Sequence, residues 1–499
     1  MALRRFIESN RGRQVTSGTG ATRVSRTRLS AALAIAAAAG TVLAAPEAAA
    51  DPTPAGDLSN DLRQPQECFM CHSFGNADIH VEDPLYSPFI GWQGSLMANA
   101  ARDPVFWAGV ALADQDHPGE TVDCIRCHSP RAFLNGRGDA TEITDLQPAD
   151  FDGVTCEACH RMEDDSPNPL GNARYHIDDV PVNGVVPRRG PWDDYVEPNS
   201  PPHPYIADPF TGSSELCGTC HDVSTPRARL DEEGTQIAPN FNEQRTYSEW
   251  ANSDYAAEGE GFASCQDCHM PAVQDMAACS AFVNFTSHPE GGRRHDLVGA
   301  NRFVLTLLRQ EYGDSEGSGE VLDFYYDNTI ERLDAFLATA ATVELDGPAS
   351  VDLGDGLTDL AVTITNNSGH KLPTGYSEGR VMSIEVEATY NDEVVWTSGA
   401  FETGVGPTDN GQLRAYQGVA VELASGTTQH LLLNDHWVED TRIPHSAWWP
   451  TRRPTPWETG TRCRVTEPGQ TTTSLRTRSR ARRTWWMQRP RTPPTTSSR

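Results

Sequence analysis

The chain has 499 residues, a length that allows two or three domains. It carries 40 Lys and Arg against 69 Asp and Glu, a formal net charge of −29 at pH 7, and this excess excludes nucleic acid and anionic membrane surfaces as natural partners. The acidic residues are concentrated in residues 51–449, whereas both ends of the chain are rich in arginine.

The first fifty residues have the pattern of an export signal. Arginine-rich residues 1–28 precede an apolar run from Leu29 to Ala45, and the small residues Ala48-Ala49-Ala50 form a cleavage pattern. No later stretch is apolar enough to cross a bilayer. We therefore expect residues 1–50 to direct export. The mature protein should lie in the periplasm or outside the cell, at the cell surface or secreted, without a membrane span.

Residues 51–297 contain the pattern Cys-x-x-Cys-His five times, and these copies account for ten of the 12 cysteines. They are named motif 1 (Cys68, Cys71, His72), motif 2 (Cys124, Cys127, His128), motif 3 (Cys156, Cys159, His160), motif 4 (Cys217, Cys220, His221) and motif 5 (Cys265, Cys268, His269).

This pattern attaches c-type haem, because the two thiols bond to the haem vinyl groups and the adjacent histidine reaches the iron as its proximal ligand. One copy alone could also be a zinc or redox pair. Zinc would need paired ligand sets at regular spacing, and a disulfide framework would not need a histidine after every second cysteine. The ten cysteines and five histidines of the motifs therefore predict five covalently bound haem c groups with iron.

The sequence between the motifs is rich in Pro, Gly, Asp and Asn and has few periodic apolar runs. One helix is predicted at Asp103–Asp116, with an apolar face of Val105, Phe106, Val110 and Leu112. The apolar side chains are too few to offset chain entropy by themselves. We expect residues 51–297 to form a haem-cored domain that is mainly α-helical and irregular.

The second axial ligand of each iron decides between an electron carrier and an enzyme. A histidine in the sixth position gives a low-spin iron that exchanges electrons, whereas an open position binds a small substrate. Nine histidines outside the motifs precede residue 445. The candidates for distal ligands are His80, His117, His176, His203 and His295, the first four because they lie near or between motifs in the chain.

The remainder of the chain changes character twice before residue 445. Residues 298–341 predict two helices, one around Phe303–Leu308 and one around Val321–Leu337. Residues 342–444 predict a small all-β, sandwich-like domain, with strands at Leu360–Thr365, Ile384–Ala388, Val394–Trp396 after a turn at Asn391-Asp392, and Leu431–Leu433. The expected fold class is thus multidomain.

Residues 445–499 are rich in Arg, Thr, Pro and Trp, have no periodicity and reverse the charge. The chain has one lysine against 39 arginines, which implies a GC-rich gene. A GC-rich back-translation shifted in frame near His445 gives an acidic, Asp-, Gly- and Ala-rich sequence again. We predict a frameshifted, disordered tail, with a genuine basic tail as the alternative.

Several segments resemble the multihaem cytochrome c superfamily, related to the tetrahaem cytochrome of nitrifiers and to uncharacterised bacterial multihaem cytochromes. They include Asp103-Pro-Val-Phe-Trp107, Gly153-Val-Thr-Cys-Glu-Ala-Cys-His160 and Arg245-Thr-Tyr-Ser-Glu-Trp250. Two further segments are His295-Asp-Leu-Val-Gly-Ala-Asn301, similar to a distal-ligand segment, and Gly369-His370-Lys-Leu-Pro-Thr-Gly375. The resemblance implies that His370 serves a haem at a domain interface. It does not specify a substrate, because the superfamily contains carriers and enzymes.

These patterns favour an exported pentahaem c-type cytochrome that transfers electrons through stacked, mostly bis-histidine haems. One alternative is an oxidoreductase with a single open haem that acts on a small nitrogen or sulfur compound. Another is a subunit of a conductive cell-surface assembly. The expected partners are redox proteins or extracellular acceptors, and the sequence leaves the oligomeric state open.

Overall fold

The computed structural model describes residues 52–73, 86–164, 170–193, 203–274, 276, 292–347, 358–402, 405–427, 432–445 and 470–477. Within these residues the fold combines short helices with short strands. The predicted signal region, residues 1–50, and His80 lie outside the described residues. No helix in the described ranges is both long enough and apolar enough to span a membrane.

The helices are short, and every motif begins on one of them. In chain order they are α1 (Gln66–His72), α2 (Pro88–Gln93), α3 (Pro104–Asp116), α4 (Val122–His128), α5 (Pro130–Leu134), α6 (Cys156–His160), α7 (Ser214–Gly218), α8 (Thr246–Ala251), α9 (Cys265–His269), α10 (Arg302–Tyr312) and α11 (Asp323–Leu337). Motifs 1, 2, 3 and 5 lie wholly on α1, α4, α6 and α9, whereas motif 4 begins on α7 and continues beyond its end.

Helix α3 confirms the helix predicted at Asp103–Asp116. It begins at Pro104 because the Asp103 carboxylate accepts a hydrogen bond from the backbone N–H of Val105 (2.8 Å). Its buried residues are Trp107, Val110 and Ala113. The predicted apolar face was therefore partly wrong, since Val105 and Leu112 are exposed.

Ten strands of two to four residues connect the motif helices. They are β1 (Met162–Glu163), β2 (His176–Ile177), β3 (Arg188–Gly190), β4 (Tyr205–Ala207), β5 (Val223–Thr225), β6 (Arg229–Leu230), β7 (Gln236–Ala238), β8 (Phe241–Gln244), β9 (Ala272–Val273) and β10 (Gly292–Arg293). Four pairs are antiparallel, β1 with β2, β5 with β8, β6 with β7 and β9 with β10, whereas β3 and β4 are parallel. The end of strand β8 lies beside motif 4.

Helices α10 and α11 confirm the two helices predicted in residues 298–341. Leu305, Leu308 and Leu333 are buried between them at the helical spacing that the sequence indicated. The hydroxyl of Tyr326 donates to the Oδ1 atom of Asn99 at 2.9 Å, and both residues are buried. This contact packs the helix pair against the motif segment.

Residues 341–445 contain strands and, in their described part, no α-helix. The strands are β11 (Ala341–Asp346), β12 (Thr358–Asn366), β13 (Met382–Ser383), β14 (Val386–Tyr390), β15 (Glu393–Ser398), β16 (Phe401–Glu402), β17 (Gly406–Pro407), β18 (Ala415–Tyr416), β19 (Gly418–Val421) and β20 (His436–Asp440), and β21 (Gln470–Thr477) follows in the tail. Strands β11, β12 and β21 form one sheet, and the others pair as β13–β18, β14–β15, β16–β17 and β19–β20.

The predicted strands at Leu360–Thr365 and Val394–Trp396 lie within β12 and β15, whereas the strand predicted at Ile384–Ala388 overlaps β14 only from Val386 onward. The turn between β14 and β15 is formed by Asn391 and Asp392, whose φ angles of 52° and 64° are tolerated best by such short polar residues. The predicted strand at Leu431–Leu433 was wrong at its last two residues, which form a turn, and Leu431 lies outside the described residues. Residues 470–477 form a strand inside the tail predicted to lack structure. The frameshift, the domain boundaries and the sandwich arrangement stay predictions.

Candidate haem-binding site

The five motif histidines lie in enclosed surroundings. Burial lowers the pKa of all five, to about 4 for His72, His128 and His221 and by direction alone for His160 and His269. At neutral pH the imidazoles are therefore uncharged. The uncharged imidazole is the form that binds a metal ion.

Motifs 1 and 3 lie side by side. The side chains of Cys68 and Cys156 are close enough to shift each other's pKa, downward for Cys68 and upward for Cys156. His203, His160 and His295 lie close enough to lower the pKa of His72 further, after the larger effect of burial. The structure therefore brings two of the predicted distal ligands, His203 and His295, to the two motif histidines of this neighbourhood.

His160 and His295 form a pair of facing rings. Their ring centres lie 6.4 Å apart, and the ring planes differ by 23°. The Nδ1 atoms are held by backbone carbonyl oxygens at 2.8 Å, that of His160 by Arg189 and that of His295 by Arg293. These hydrogen bonds place the proton on Nδ1 and leave the Nε2 lone pair available.

His269 of motif 5 and His370 repeat this arrangement. Their ring centres are also 6.4 Å apart, with an angle of 22° between the planes. His269 Nδ1 lies 2.6 Å from the carbonyl oxygen of Val298, and His370 Nδ1 lies 3.1 Å from that of Lys371. The β segment therefore brings His370 to motif 5, whereas the resemblance implied a haem at a domain interface without naming the motif.

The spacing of both pairs fits an iron between the rings. Two imidazoles that bind one metal ion from opposite sides, with metal–nitrogen bonds of about 2 Å, have ring centres roughly 6 Å apart. Direct stacking would bring the rings closer, as it does for Phe106 and His128, whose centroids lie 3.9 Å apart at an angle of 9°. The residues present at motifs 3 and 5 thus fit a haem iron with two histidine ligands.

Motifs 2 and 4 form a second neighbourhood. Cys127 lies close enough to Cys220 to raise the pKa of its thiol, and His221 lies close enough to lower the pKa of His128. The side-chain amide of Gln244, at the end of β8, lies 3.1 Å from the Nδ1 atom of His221. The described residues give neither motif histidine a second histidine ring at the spacing seen in motifs 3 and 5.

Motif 4 also contacts motif 5. The side chains of Cys217 and Cys265 are close enough to shift each other's pKa, upward for Cys217 and downward for Cys265. His269 lowers the pKa of His221 in addition to the effect of burial. Motif 4 therefore lies between motifs 2 and 5.

Two predicted distal ligands lie at the surface. The side chain of His117 is 51% exposed, and its Nδ1 atom lies 3.8 Å from Glu120. The side chain of His176 is 39% exposed, and its Nδ1 atom lies 3.2 Å from Glu163 on the paired strand. The structure does not bring either ring to a motif histidine at the spacing of the two pairs, and their role stays a prediction.

Sequence reasoning missed His436 and the carboxyl group of Glu243. His436 is buried on β20, and its Nδ1 atom lies 3.1 Å from the carbonyl oxygen of Leu230. Burial raises the pKa of Glu243 to about 7, with further contributions from Glu378 and Asp123. The charge of Glu243 also raises the pKa of Cys124, so this carboxyl lies near motif 2. Neither His436 nor Glu243 belongs to a local sequence pattern. Both lie on short strands that are far from motif 2 in the chain.

Residues 97–161, which contain motifs 2 and 3, match the family model described as cytochrome c554 and c-prime. The structure is similar to the crystal structure of a penta-heme cytochrome c552 from Thermochromatium tepidum, at 17% sequence identity and a TM-score of 0.45, over 80% of this chain and 85% of that chain. No curated protein matches the chain. The family match confirms the predicted resemblance to multihaem c-type cytochromes and supports covalently bound haem c.

Proposed function

We propose that this protein is an exported pentahaem c-type cytochrome that transfers electrons through mostly bis-histidine haems. The observation that carries the proposal is the recurrence of one arrangement. At motifs 3 and 5, a distant histidine faces the motif histidine with 6.4 Å between ring centres. In both pairs each Nδ1 atom is oriented by a backbone carbonyl oxygen.

Haem c supplies reversible one-electron chemistry at its iron when it is bound. The chain contributes covalent attachment through the ten motif cysteines and a proximal imidazole from each motif histidine. His295 would be the distal ligand at motif 3, and His370 at motif 5. His203 is assigned to motif 1 because it lies near His72 and its Nδ1 atom contacts the carbonyl oxygen of Pro204 at 3.2 Å. His80, His117 and His176 remain candidates for motifs 2 and 4.

The contacts between motifs support a connected order of sites. Motif 1 contacts motif 3, motif 2 contacts motif 4, and motif 4 contacts motif 5, through the cysteine pairs described above. Cys159 of motif 3 also raises the pKa of both motif 4 cysteines, which joins the two groups. We therefore propose the order 1–3–4–5, with motif 2 attached to motif 4. Stacked haems in this order would give a continuous conduit.

The two ends of this order lie nearest to the surface. Met70 inside motif 1 is 59% exposed, and Cys268 of motif 5 is exposed, in contrast to the partly buried cysteines of the other motifs. Electrons would therefore enter and leave at motifs 1 and 5. The acidic surface favours redox partners or extracellular acceptors with a cationic docking face. We place the protein in the periplasm or at the cell surface.

The proposed architecture is a haem-cored segment over residues 51–297, followed by a sandwich-like β domain over residues 342–444. The five strand groups of residues 341–445 and the tail strand support the β domain. Its proposed role is to donate His370 to the neighbouring segment.

One observation favours the second candidate function, an oxidoreductase with an open haem. The described residues provide no paired distal histidine at motifs 2 and 4. The carboxyl group of Glu243, with its pKa of about 7, lies near motif 2 and could exchange protons at neutral pH. An open site there would suit a small nitrogen or sulfur compound.

Low-temperature EPR of the ferric protein, with haem counted as the pyridine haemochrome, tests the proposal. Five haems per chain, all low-spin, would support the carrier. One high-spin haem in five would favour the oxidoreductase, and nitrite, hydroxylamine and sulfur oxyanions would then be tested as substrates. Fewer than five haems, or a high-spin majority, would contradict the pentahaem, mostly bis-histidine assignment.

A further inference from the structure

We infer that Glu249 is a positioning residue that anchors the loop carrying His370 and thereby keeps this histidine facing His269, where it would hold the iron of the motif 5 haem. The inference rests on the proposed function, because it takes His370 as the ligand at that position. Glu249 lies on α8, between motifs 4 and 5, and is 8% exposed. It is one of several contacts between the motif segment and the β segment, together with Thr246–Thr374 and Tyr255–Asn367.

The carboxylate of Glu249 receives three donors from the β segment. Its Oε2 atom accepts hydrogen bonds from the backbone N–H of Lys371 at 3.1 Å and from the hydroxyl of Thr374 at 2.7 Å. Its Oε1 atom accepts one from the Arg442 guanidinium at 3.2 Å. Because Lys371 follows His370 directly, this carboxylate fixes the backbone next to the ligand.

Further contacts fix the other side of the same loop. The side-chain amide of Asn366 donates to the carbonyl oxygen of His370 at 2.7 Å. Leu372 and Ile443 exchange backbone hydrogen bonds of 2.8 and 2.9 Å. Gly369 lies against α8, where a Cβ atom would be only 2.9 Å from the ring of Trp250. A side chain at residue 369 would thus push the loop away from α8.

Glu249 belongs to a network of two carboxylates and two cationic side chains. Asp440 pairs with Lys371 at 2.8 Å and with Arg442 at 2.8 Å, so that Glu249 and Asp440 face two cations. The side chains of all four residues are between 4% and 17% exposed. Of the four, only Glu249 belongs to the motif segment. Removal of the Glu249 carboxylate would leave two buried cations with a single anion. A buried cation without its own anion is unfavourable, so the removal should destabilise the position of the loop against α8.

The test compares four variants of the full chain, Glu249→Ala, Glu249→Gln, His370→Ala and Glu258→Ala. Glu258 is an exposed acidic residue of the same segment and serves as the matched control. The readouts are the high-spin fraction of ferric haem by EPR and the carbon monoxide bound per chain after reduction. Haem count per chain establishes that each variant carries the same haem load.

We expect Glu249→Ala and His370→Ala each to add up to one high-spin, carbon monoxide-binding haem per chain over the wild type, and Glu258→Ala to add none. Glu249→Gln keeps an acceptor for the Lys371 N–H but loses the charge, so it should give a smaller increase. If His370→Ala opens one haem whereas both Glu249 variants stay like the wild type, the positioning role is wrong. If His370→Ala opens no haem, the assignment of His370 itself fails.

The only lysine of the chain offers an independent readout. Lys371 is 17% exposed and paired with Asp440, so an amine-reactive reagent should label it slowly in the wild type. Glu249→Ala should increase the labelling rate several-fold, because the loop leaves α8. An unchanged rate at Lys371, measured by peptide mass spectrometry, would contradict the anchoring role.

Discussion

Replacing His295 with alanine would remove one imidazole from the pair whose ring centres lie 6.4 Å apart, while Cys156 and Cys159 would keep their proposed covalent attachment to haem. The surrounding backbone has other supports. The neighbouring Asp296 is buried and forms ion pairs with Arg294 at 2.8 Å and with Arg332 at 2.9 Å. The substitution should therefore open the sixth position at motif 3 without unfolding the segment.

The expected magnitude follows from the number of motifs. One haem in five should become high-spin, which is about a fifth of the ferric haem signal, because water or an empty site replaces a strong ligand. Quantitative EPR measures this fraction, and carbon monoxide binding to the reduced protein gives an independent stoichiometry of one per chain above the wild type. Added imidazole should restore the low-spin signal, which controls for damage elsewhere.

An unchanged spectrum for His295→Ala would refute the geometric reasoning, since the same spacing supports His370 at motif 5. Conversion of two or more haems to the high-spin state would also refute this reasoning. In that case His295 would hold the whole neighbourhood of motifs 1 and 3 together and would not serve a single iron.

Two further predictions concern stability, measured by far-UV circular dichroism during denaturant unfolding. Burial raises the pKa of Glu243 from 4.5 to about 7, so this carboxyl group takes up a proton on folding at a pH between these two values. Glu243 therefore lowers the wild-type free energy of unfolding progressively as pH rises from about 4.5 to 7. Glu243→Gln should remove this loss of stability, which amounts to at most roughly 3 kcal/mol at pH 8. An equal pH dependence of the free energy of unfolding in the wild type and the variant would contradict this prediction. Leu333→Ala should cost about 2–5 kcal/mol because Leu333 is fully buried between α10 and α11. Phe303→Ala, at a side chain that is 70% exposed, should lower the free energy of unfolding far less. Equal losses for the two variants would argue against a core between α10 and α11.

The sequence predicted the elements whose determinants are local. Cys-x-x-Cys-His predicts the attachment sites without any tertiary information, and Asp103-Pro104 fixes the start of α3 through a cap and a restricted φ. The alternation in β12 and the Asn391-Asp392 turn are equally local. Leu432 and Leu433 show the limit, because a short apolar run forms a turn as readily as a strand when its pairing partner is absent.

The distal ligands could not be derived from spacing, because ligation joins residues far apart in the chain. His117 and His176 were chosen for closeness to motifs, yet both rings are at the surface with carboxylates. His295 and His370 were singled out with the help of family resemblance, and each lies about a hundred residues or more from the motif histidine that it faces. A histidine's Nδ1 partner is visible only in the structure, and it separates a prearranged ligand from a solvated side chain.

The residues that hold His370 also show which part of the chain the motif 5 site requires. The loop is fixed by Asn366, by the bridge between Leu372 and Ile443, and by Asp440 and Arg442. All of these residues precede position 445, where the predicted frameshift begins. Strand β21 pairs with the edge of β12 opposite β11. The hydrogen bonds and ion pairs named here therefore come from the acidic, patterned part of the chain, whereas His445, which lies close enough to lower the pKa of His370, belongs to the predicted frameshifted tail.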